Sequence, residues 1–294
     1  MYAPRVTPES IGFTRGALGP GPLTVRWLGT AGFAIECEGT TLLIDPYVSR
    51  PSLWQCVSGP IASDPELVAR HAPRADAIVL GHTHFDHALD APAIARATGA
   101  RVFGSRSAVG LCRASGLVDA QLVDVEARCA GGPWETEVGP MRLRFFPSAH
   151  SKLLLGRIPF PGEISDCDSI PLAMQHYKCG AVFGLEIRAA GRTVFHLGSA
   201  ELVEEPLRDG PREVDLLLLC VAGWTTSPEL PERVVRAFSP RAALLSHWDD
   251  FFRPLDRPAR ALPAMRMPSL VDRLGRASRD LRVGTLPIFG EVTL

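Results

Sequence analysis

The stretch Gly81-His82-Thr83-His84-Phe85-Asp86-His87 puts three imidazoles and one carboxylate into positions 82 to 87, directly behind the apolar run Ala77-Ile78-Val79-Leu80. A short apolar run bounded by a turn reads as a buried strand, and a strand ending here hands all four groups to one place. Imidazole nitrogen and carboxylate oxygen are the donors that zinc and related ions take, and a hydrolytic centre keeps one further position for water. On a tight turn this spacing splits the ligands between neighbouring ions, with His82 and His84 facing one way and Asp86 and His87 the other. A polar loop with chance histidines is a poor reading, because the chain has eight histidines and three of them sit in this turn. His150, His196 and His247 each close another apparent strand, ending Leu143-Arg144-Phe145-Phe146-Pro147-Ser148-Ala149, Arg192-Thr193-Val194-Phe195 and Ala242-Ala243-Leu244-Leu245-Ser246. His71 and His176 lack such a position.

Other segments add to the pattern: Val25-Arg26-Trp27-Leu28-Gly29-Thr30-Ala31-Gly32-Phe33, Thr40-Thr41-Leu42-Leu43-Ile44-Asp45-Pro46, Phe195-His196-Leu197-Gly198 and Ser246-His247-Trp248. With the histidine turn and His150 they span nearly the whole chain. In this order they resemble the metallo-β-lactamase-fold hydrolases, and within them the branch of the ascorbate-6-phosphate lactonase and N-acylphosphatidylethanolamine phospholipase D relatives. The resemblance implies an α/β fold, a four-layer αββα sandwich, with one metal held by His82, His84 and His150 and a second by Asp86, His87 and His247. It implies Zn2+ as cofactor, one or two ions, with Fe or Mn as alternatives, and a water or hydroxide between the ions as nucleophile. His196 and Asp45 then stand behind the ligands rather than among them.

One position departs from the family pattern. Where relatives carry Gly-Asp, with the carboxylate bridging both metals, this chain has Gly198-Ser199-Ala200-Glu201. A neutral hydroxyl is a weaker ligand than a carboxylate, so two dications would repel each other with less compensation. Three outcomes stay open: a single ion, two ions with Glu201 or Asp249 replacing the bridge, or lost or altered chemistry. Asp249 and Asp250 otherwise read as a solvated acidic turn. Six of the seven expected ligands are intact, which favours a retained metal site.

The composition narrows the partners. A net charge of -1 and a pI near 6.7 give no electrostatic reason to expect nucleic acid or an anionic membrane. No apolar run is long enough to span a bilayer, and the N-terminus lacks a signal-peptide pattern. Seven cysteines, odd in number and without a Cys-x-x-Cys pair, read as reduced thiols in a cytoplasmic protein. Cys220, closing the apolar run from Val214, reads as a buried core thiol. The expected partner is a small-molecule substrate; the oligomeric state is not legible.

Residues 1–22, rich in Gly and Pro, read as an N-terminal arm that packs on the body or frames the site, and 23–294 as one metallo-β-lactamase-fold domain. Strands are predicted near 23–28, 33–37, 41–44, 101–103, 141–146, 180–187, 193–196, 214–220 and 242–246, and helices near 91–97, 106–114, 229–238 and 269–277. The irregular stretch 151–178 follows His150 directly and reads as a lid over the site. Its Leu153-Leu154-Leu155 would suit an apolar substrate group or the core, and Lys152, Arg157, His176 and Lys178 are candidate anion contacts. The expected function is metal-dependent hydrolysis of an ester, lactone or phosphodiester, with Asp86 as the catalytic residue that binds the second ion or takes a proton from the attacking water. The alternatives are a metal-binding fold without hydrolytic activity and an iron-dependent oxygenase or lyase on the same fold.

Overall fold

A computed structural model of the chain describes residues 7–153, 156–164, 170–262 and 265–294. Strand runs alternate side chains between two faces, and in the first half of the chain the alternation feeds two separate cores. In β2 (Gly32–Cys37) and β3 (Thr40–Ile44), Phe33, Ile35, Leu42 and Ile44 face a central core, whereas Ala34 and Leu43 face an outer one. In β4 (Ala77–Val79), Ala77 and Val79 point to the centre and Ile78 outward. These strands join β1 (Thr24–Gly29), β5 (Arg101–Gly104), β6 (Leu122–Asp124) and the C-terminal β14 (Glu291–Thr293) in a seven-stranded sheet of order β14-β1-β2-β3-β4-β5-β6. Its outer face is covered by helices, among them α4 (Ala91–Thr98) and α5 (Arg106–Ala114), through Ile94, Ala95, Leu111 and Cys112.

The second sheet, also seven-stranded, runs β13-β12-β11-β10-β9-β8-β7. Its members are β7 (Trp134–Val138), β8 (Met141–Ser148), β9 (Val182–Ala189), β10 (Arg192–Leu197), β11 (Leu216–Cys220), β12 (Ala242–Ser246) and β13 (Arg282–Gly284). Leu143, Phe145, Leu185 and Ile187 from this sheet meet Trp27, Phe33 and Phe103 from the first in the central core. The helices Leu230–Phe238 (α7) and Met267–Ala277 (α8) close its other face through Val234, Phe238, Leu270 and Leu274. The layers are therefore helix, sheet, sheet, helix, the αββα sandwich expected from the sequence.

Strand direction places the site. β3 and β4 are parallel, and so are β10, β11 and β12. β8 pairs antiparallel with β9, and β9 with β10, so two reversals bring β8 into the direction of β10. The C-terminal ends of β3, β4, β8, β10, β11 and β12 lead straight to Asp45, His82, His150, Ser199, Cys220 and His247. Open α/β sheets gather ligands at such strand ends.

The described part of the N-terminal arm, from residue 7, packs on the body. The Phe13 N–H donates to the Thr285 carbonyl at 2.7 Å and the Thr293 hydroxyl to the Gly19 carbonyl at 2.7 Å. The sequence reading lacked β6, β7, β13, β14 and the short helices α1 (Leu53–Ser58), α2 (Pro65–His71), α3 (Phe85–Ala88) and α6 (Val125–Arg128). None of these segments carries an apolar period long enough to announce itself. No helix among the described residues is long and apolar enough to cross a membrane.

Candidate metal centre

β4 stops at the histidine turn because the turn is held from outside the strand. The Thr83 N–H donates to the Cys179 carbonyl at 2.9 Å and the Thr83 hydroxyl to the Lys178 carbonyl at 2.6 Å, pinning the turn to the end of the 151–178 segment. His84 then caps α3, a single helical turn, and so presents Asp86 and His87 a step beyond His82 and His84. The chain folds tightly enough there that all four groups are buried.

Two triads result. The candidate ligand atoms of His82, His84 and His150 lie within 4.8 Å of one another, and so do those of Asp86, His87 and His247. In the first triad the three ring centroids are nearly equidistant, at 4.7 to 4.8 Å. Each outer nitrogen that touches protein fixes a tautomer, because a carbonyl only accepts. His84 Nε2 donates to the Pro159 carbonyl at 2.8 Å, leaving Nδ1 with a lone pair 3.1 Å from His82 Nε2. His150 Nδ1 donates to the Ser151 carbonyl at 2.6 Å, leaving Nε2 free. Burial pulls the imidazoles of His82, His84 and His150 below the ordinary range, His150 to about 3, so all three are neutral donors at pH 7.

The second triad is oriented by carboxylates. His87 Nδ1 donates to Asp45 Oδ2 at 2.9 Å, and Asp45 Oδ1 accepts the Gly81 N–H at 2.7 Å, so one buried aspartate fixes both the ring and the start of the turn. Burial lowers His87, but the Asp45 and Asp86 carboxylates outweigh it and raise the net value. Burial likewise pushes the Asp86 carboxyl up, yet His87 and the hydrogen-bonded His247, whose Nε2 stands 3.1 Å from Asp86 Oδ2, hold it well below the usual carboxylate range.

These residues fit a divalent ion by the chemistry of the donor set: five neutral or orientable imidazoles and one ionised carboxylate, converging and buried. His82 Nδ1 and His247 Nδ1 are buried without a hydrogen-bond partner, so each ring's contacts lie on the nitrogen that faces its triad. His196, the other histidine expected near the site, is fully buried beneath it, with Nε2 donating to the Ala31 carbonyl at 3.2 Å and its ring edge-on to Phe33. A Cβ on Gly198 would come within 2.7 Å of the His196 ring and 3.0 Å of Asp45, which is why glycine is required at this position.

Ser199 has other work than bridging. Its hydroxyl accepts the Ser151 N–H at 2.9 Å and lies 3.4 Å from Ser151 Oγ, tying the end of β10 to the loop that carries His150. Neither proposed substitute for the missing carboxylate reaches in. Glu201 accepts from the Ser227 hydroxyl at 2.9 Å and pairs with Arg233 at 3.2 Å. Asp249 is no solvated turn either: it is fully buried, pairs with Arg50 at 2.6 Å and accepts the Thr30 N–H at 3.0 Å. The same Thr30 accepts the His247 N–H at 2.7 Å, so the Arg50–Asp249 pair and Thr30 together hold His247 in a left-handed conformation of φ 59°. Sequence reasoning passed over Arg50, and also Asp90, which accepts from Val48 N–H at 2.7 Å, Ser49 N–H at 2.8 Å and the Ser63 hydroxyl at 2.5 Å. The signal at Asp90 was an Asp-Ala-Pro helix start, but its carboxylate anchors the loop leading to Arg50 instead of capping α4.

A cavity of about 500 Å³ opens over both triads. Leu153, Pro159, Phe160 and Met174 of the 151–178 segment line it, while Leu154, Leu155 and the run Asp166-Cys167-Asp168 lie outside the described residues. Lys152, Arg157, His176 and Lys178 are absent from its described lining, so the anion contacts expected of them are not made there. Cys220 is buried as expected but also borders the cavity, and burial pushes its thiol far up, which makes it an unreactive wall. The six described cysteines are free and buried; Cys167 lies outside the described residues.

Comparison with known proteins agrees with this geometry. Residues 40–248 match the family model described as the beta-lactamase superfamily domain. The chain is 37% identical over 236 residues to the UPF0173 metal-dependent hydrolase of Myxococcus xanthus (strain DK1622), covering 79% of this chain and 72% of that one. Among solved structures, Igni18, a metallo hydrolase from the hyperthermophilic archaeon Ignicoccus hospitalis, superposes with a TM-score of 0.60 at 19% identity, over 92% of this chain and 98% of that one. CmlA, a diiron beta-hydroxylase from Streptomyces venezuelae, does so with a TM-score of 0.59 at 18% identity, over 94% of this chain and 55% of that one. At such identities the two structural likenesses speak for the fold alone. The family model covers the histidine turn, His150 and His247 in one match, and with the Myxococcus relative it establishes that the chain belongs to the UPF0173 metal-dependent hydrolases of the metallo-β-lactamase superfamily.

Proposed function

We propose that His82, His84 and His150 hold one divalent ion and Asp86, His87 and His247 a second, weaker one, and that the enzyme uses this centre to hydrolyse an ester, lactone or phosphodiester. The observation that carries the reading is the pair of triads, buried except for the half-buried His150, three of whose rings are preset by carbonyl or carboxylate partners on their outer nitrogens. Preset rings are what metal sites need, since the partner on the far nitrogen fixes ring angle and basicity.

An ion bound here would supply a water of lowered pKa and polarise the scissile oxygen. Where the second ion is bound, Asp86 is one of its ligands; where only the first is bound, Asp86, buried and held ionised, would orient the attacking water and accept its proton. Asp45 keeps the His87 ring in its tautomer and Ser199 holds the His150 loop in register. The ascorbate-6-phosphate lactonase and phospholipase D-like branch remains our reading of the nearest activities, and zinc our reading of the metal, with iron or manganese as the alternatives. The buried free thiols suit a reducing, cytoplasmic compartment. The 151–178 segment serves as the lid of a single domain spanning 23–294, with 1–22 as its N-terminal arm.

Elemental analysis of the purified, untagged protein tests the centre before any substrate is known. We expect one tightly held equivalent of zinc, and a second that appears only at excess metal, because Ser199 supplies no bridging charge. Removing the first triad through His82→Ala should abolish the tight equivalent. Metal content of zero after reconstitution would overturn the reading, and iron with oxygen-dependent turnover would replace it by the redox alternative. Ser199→Asp should raise the occupancy of the second position; a fall in occupancy would mean that the hydroxyl belongs to a specialised centre.

A further inference from the structure

The walls of the cavity carry information that the triads do not. Phe160 stands edge-on to His84, with ring centroids 6.3 Å apart, and Phe251 edge-on to His247 at 5.5 Å, so an aromatic ring borders each triad. Phe251 also packs on Phe252 at 4.6 Å and both approach Phe85 at 6.1 Å, which makes a continuous aromatic wall on the α3 side. Leu153, Met174, Leu262 and Met265 complete the lining.

Charge is confined to the floor. Among the described residues that line the cavity no Lys or Arg occurs. The hydroxyls are few and partly spent: Thr226 donates to the carbonyls of Lys152 and Gly223, and Ser199 is bonded to Ser151. Beyond any bound metal ions, phosphate recognition in proteins rests on Arg and Lys side chains or on N–H groups at a helix start, with the charge-assisted hydrogen bonds they give. The cavity instead has the volume of a drug-sized ligand site and, apart from the hydroxyls of Ser199, Thr225 and Thr226, walls that gain free energy by covering apolar surface.

Resting on the metal-centre reading above but departing from the phosphate-bearing substrates of the lactonase and phospholipase D-like branch, we infer that the substrate is an uncharged carboxylic ester or lactone bearing an apolar acyl chain or aromatic ring, and not a phosphodiester. The scissile carbonyl lies over Asp86 while the apolar group is clasped between Phe160 and the Phe251–Phe252 pair. In the reaction the water oxygen bonds to the carbonyl carbon and the carbon–oxygen ester bond breaks. The alcohol oxygen leaves with one of the water's protons and the acid keeps the other atoms, with no oxidant or co-reactant needed.

The test uses the zinc-loaded, full-length protein with two kinds of probe. The first is a series of 4-nitrophenyl esters from acetyl to octanoyl, run beside bis(4-nitrophenyl) phosphate. We expect kcat/KM to rise by up to about fourfold per methylene until the cavity is filled, as burial of a CH2 predicts, and to exceed that for the phosphodiester throughout. Phe251→Ala should flatten the chain-length dependence. Met174→Lys, at a half-buried lid position that tolerates a repacked stem, should lower ester turnover and raise that of the phosphodiester. A preference for the phosphodiester, or a chain-length profile that is flat in the parent enzyme, would overturn the inference while leaving the hydrolase reading intact. The second probe is hexyl 4-nitrophenyl ether, which cannot be hydrolysed, with its affinity read by calorimetry. If no substrate turns over but the ether binds and Phe251→Ala weakens it about tenfold, the apolar specificity stands and the hydrolytic reading falls. If the ether does not bind either, the apolar specificity falls as well.

Discussion

The two triads lie side by side and are built by opposite means. The first, His82, His84 and His150, contains no charge and takes its orientation from backbone carbonyls at Pro159 and Ser151, both in or beside the lid segment. The second, Asp86, His87 and His247, contains the centre's one carboxylate and is braced by buried ionic groups, Asp45 behind His87 and the Arg50–Asp249 pair beside His247. A carbonyl partner moves with its loop, whereas a buried carboxylate is fixed by the core around it. The first triad is therefore coupled to the segment whose Phe160 and Met174 line the cavity, and the second to the sandwich itself.

This contrast is broken most directly at Asp86, the only charged group between the triads. Asp86→Ala should cut turnover by about a hundredfold or more, with an unchanged far-ultraviolet circular dichroism spectrum; full activity would remove Asp86 from the mechanism. The brace comes next. Asp249→Ala leaves a guanidinium buried and unpaired, which costs about 3–5 kcal/mol. Urea unfolding should register that loss, and a double replacement by apolar residues, Arg50→Met with Asp249→Leu, should recover part of it. A smaller effect is expected from Asp45→Asn, which keeps the shape but removes the charge behind His87. Metal affinity at the second position should fall by about ten- to a hundredfold, while the tight equivalent at the first stays put; equal losses at both would mean that the triads are not independently supported. The smallest change is Ser199→Ala. Leaving the Ser151 N–H without its acceptor costs about 1–3 kcal/mol, seen as a lowered Tm with the tight metal equivalent retained.

The chain itself announced the fold through local signals. The strand Ala77–Val79, the helix from Arg106 to Ala114 and the strand from Ala242 to Ser246 each carry a regular apolar period or a continuous apolar run, and each stands where that pattern put it. The strands β7 and β14 escaped notice, because Trp134–Val138 alternates exposed acids with half-buried residues and Glu291–Thr293 is too short to show a period. The site divided along the same line. The ligand candidates are dense in titratable residue types and sit at strand ends, so spacing singled out the turn at 82–87, and the family resemblance added His150 and His247. Asp249 looked like a solvated turn, because an Asp-Asp pair has no local mark of burial and its partner Arg50 is far away in the chain. The apolar cavity wall was equally hidden, since Phe85, Phe251 and the pair Phe160 and Met174 come from three separate segments.

What the sequence determined by itself was therefore the set of candidate donors and, with the resemblance, the architecture that gathers them: periodicity makes the strands, and strand ends make the turn. What only the tertiary structure decided was which groups were already engaged. Ser199 is spent on Ser151, Glu201 on Arg233 and Asp249 on Arg50, and the basic residues of the lid stay off the cavity lining. The physical reason is that a polar side chain taken out of water binds whatever partner the fold brings within about 3 Å, and that partner is set by packing across the sheets rather than by its neighbours in the chain.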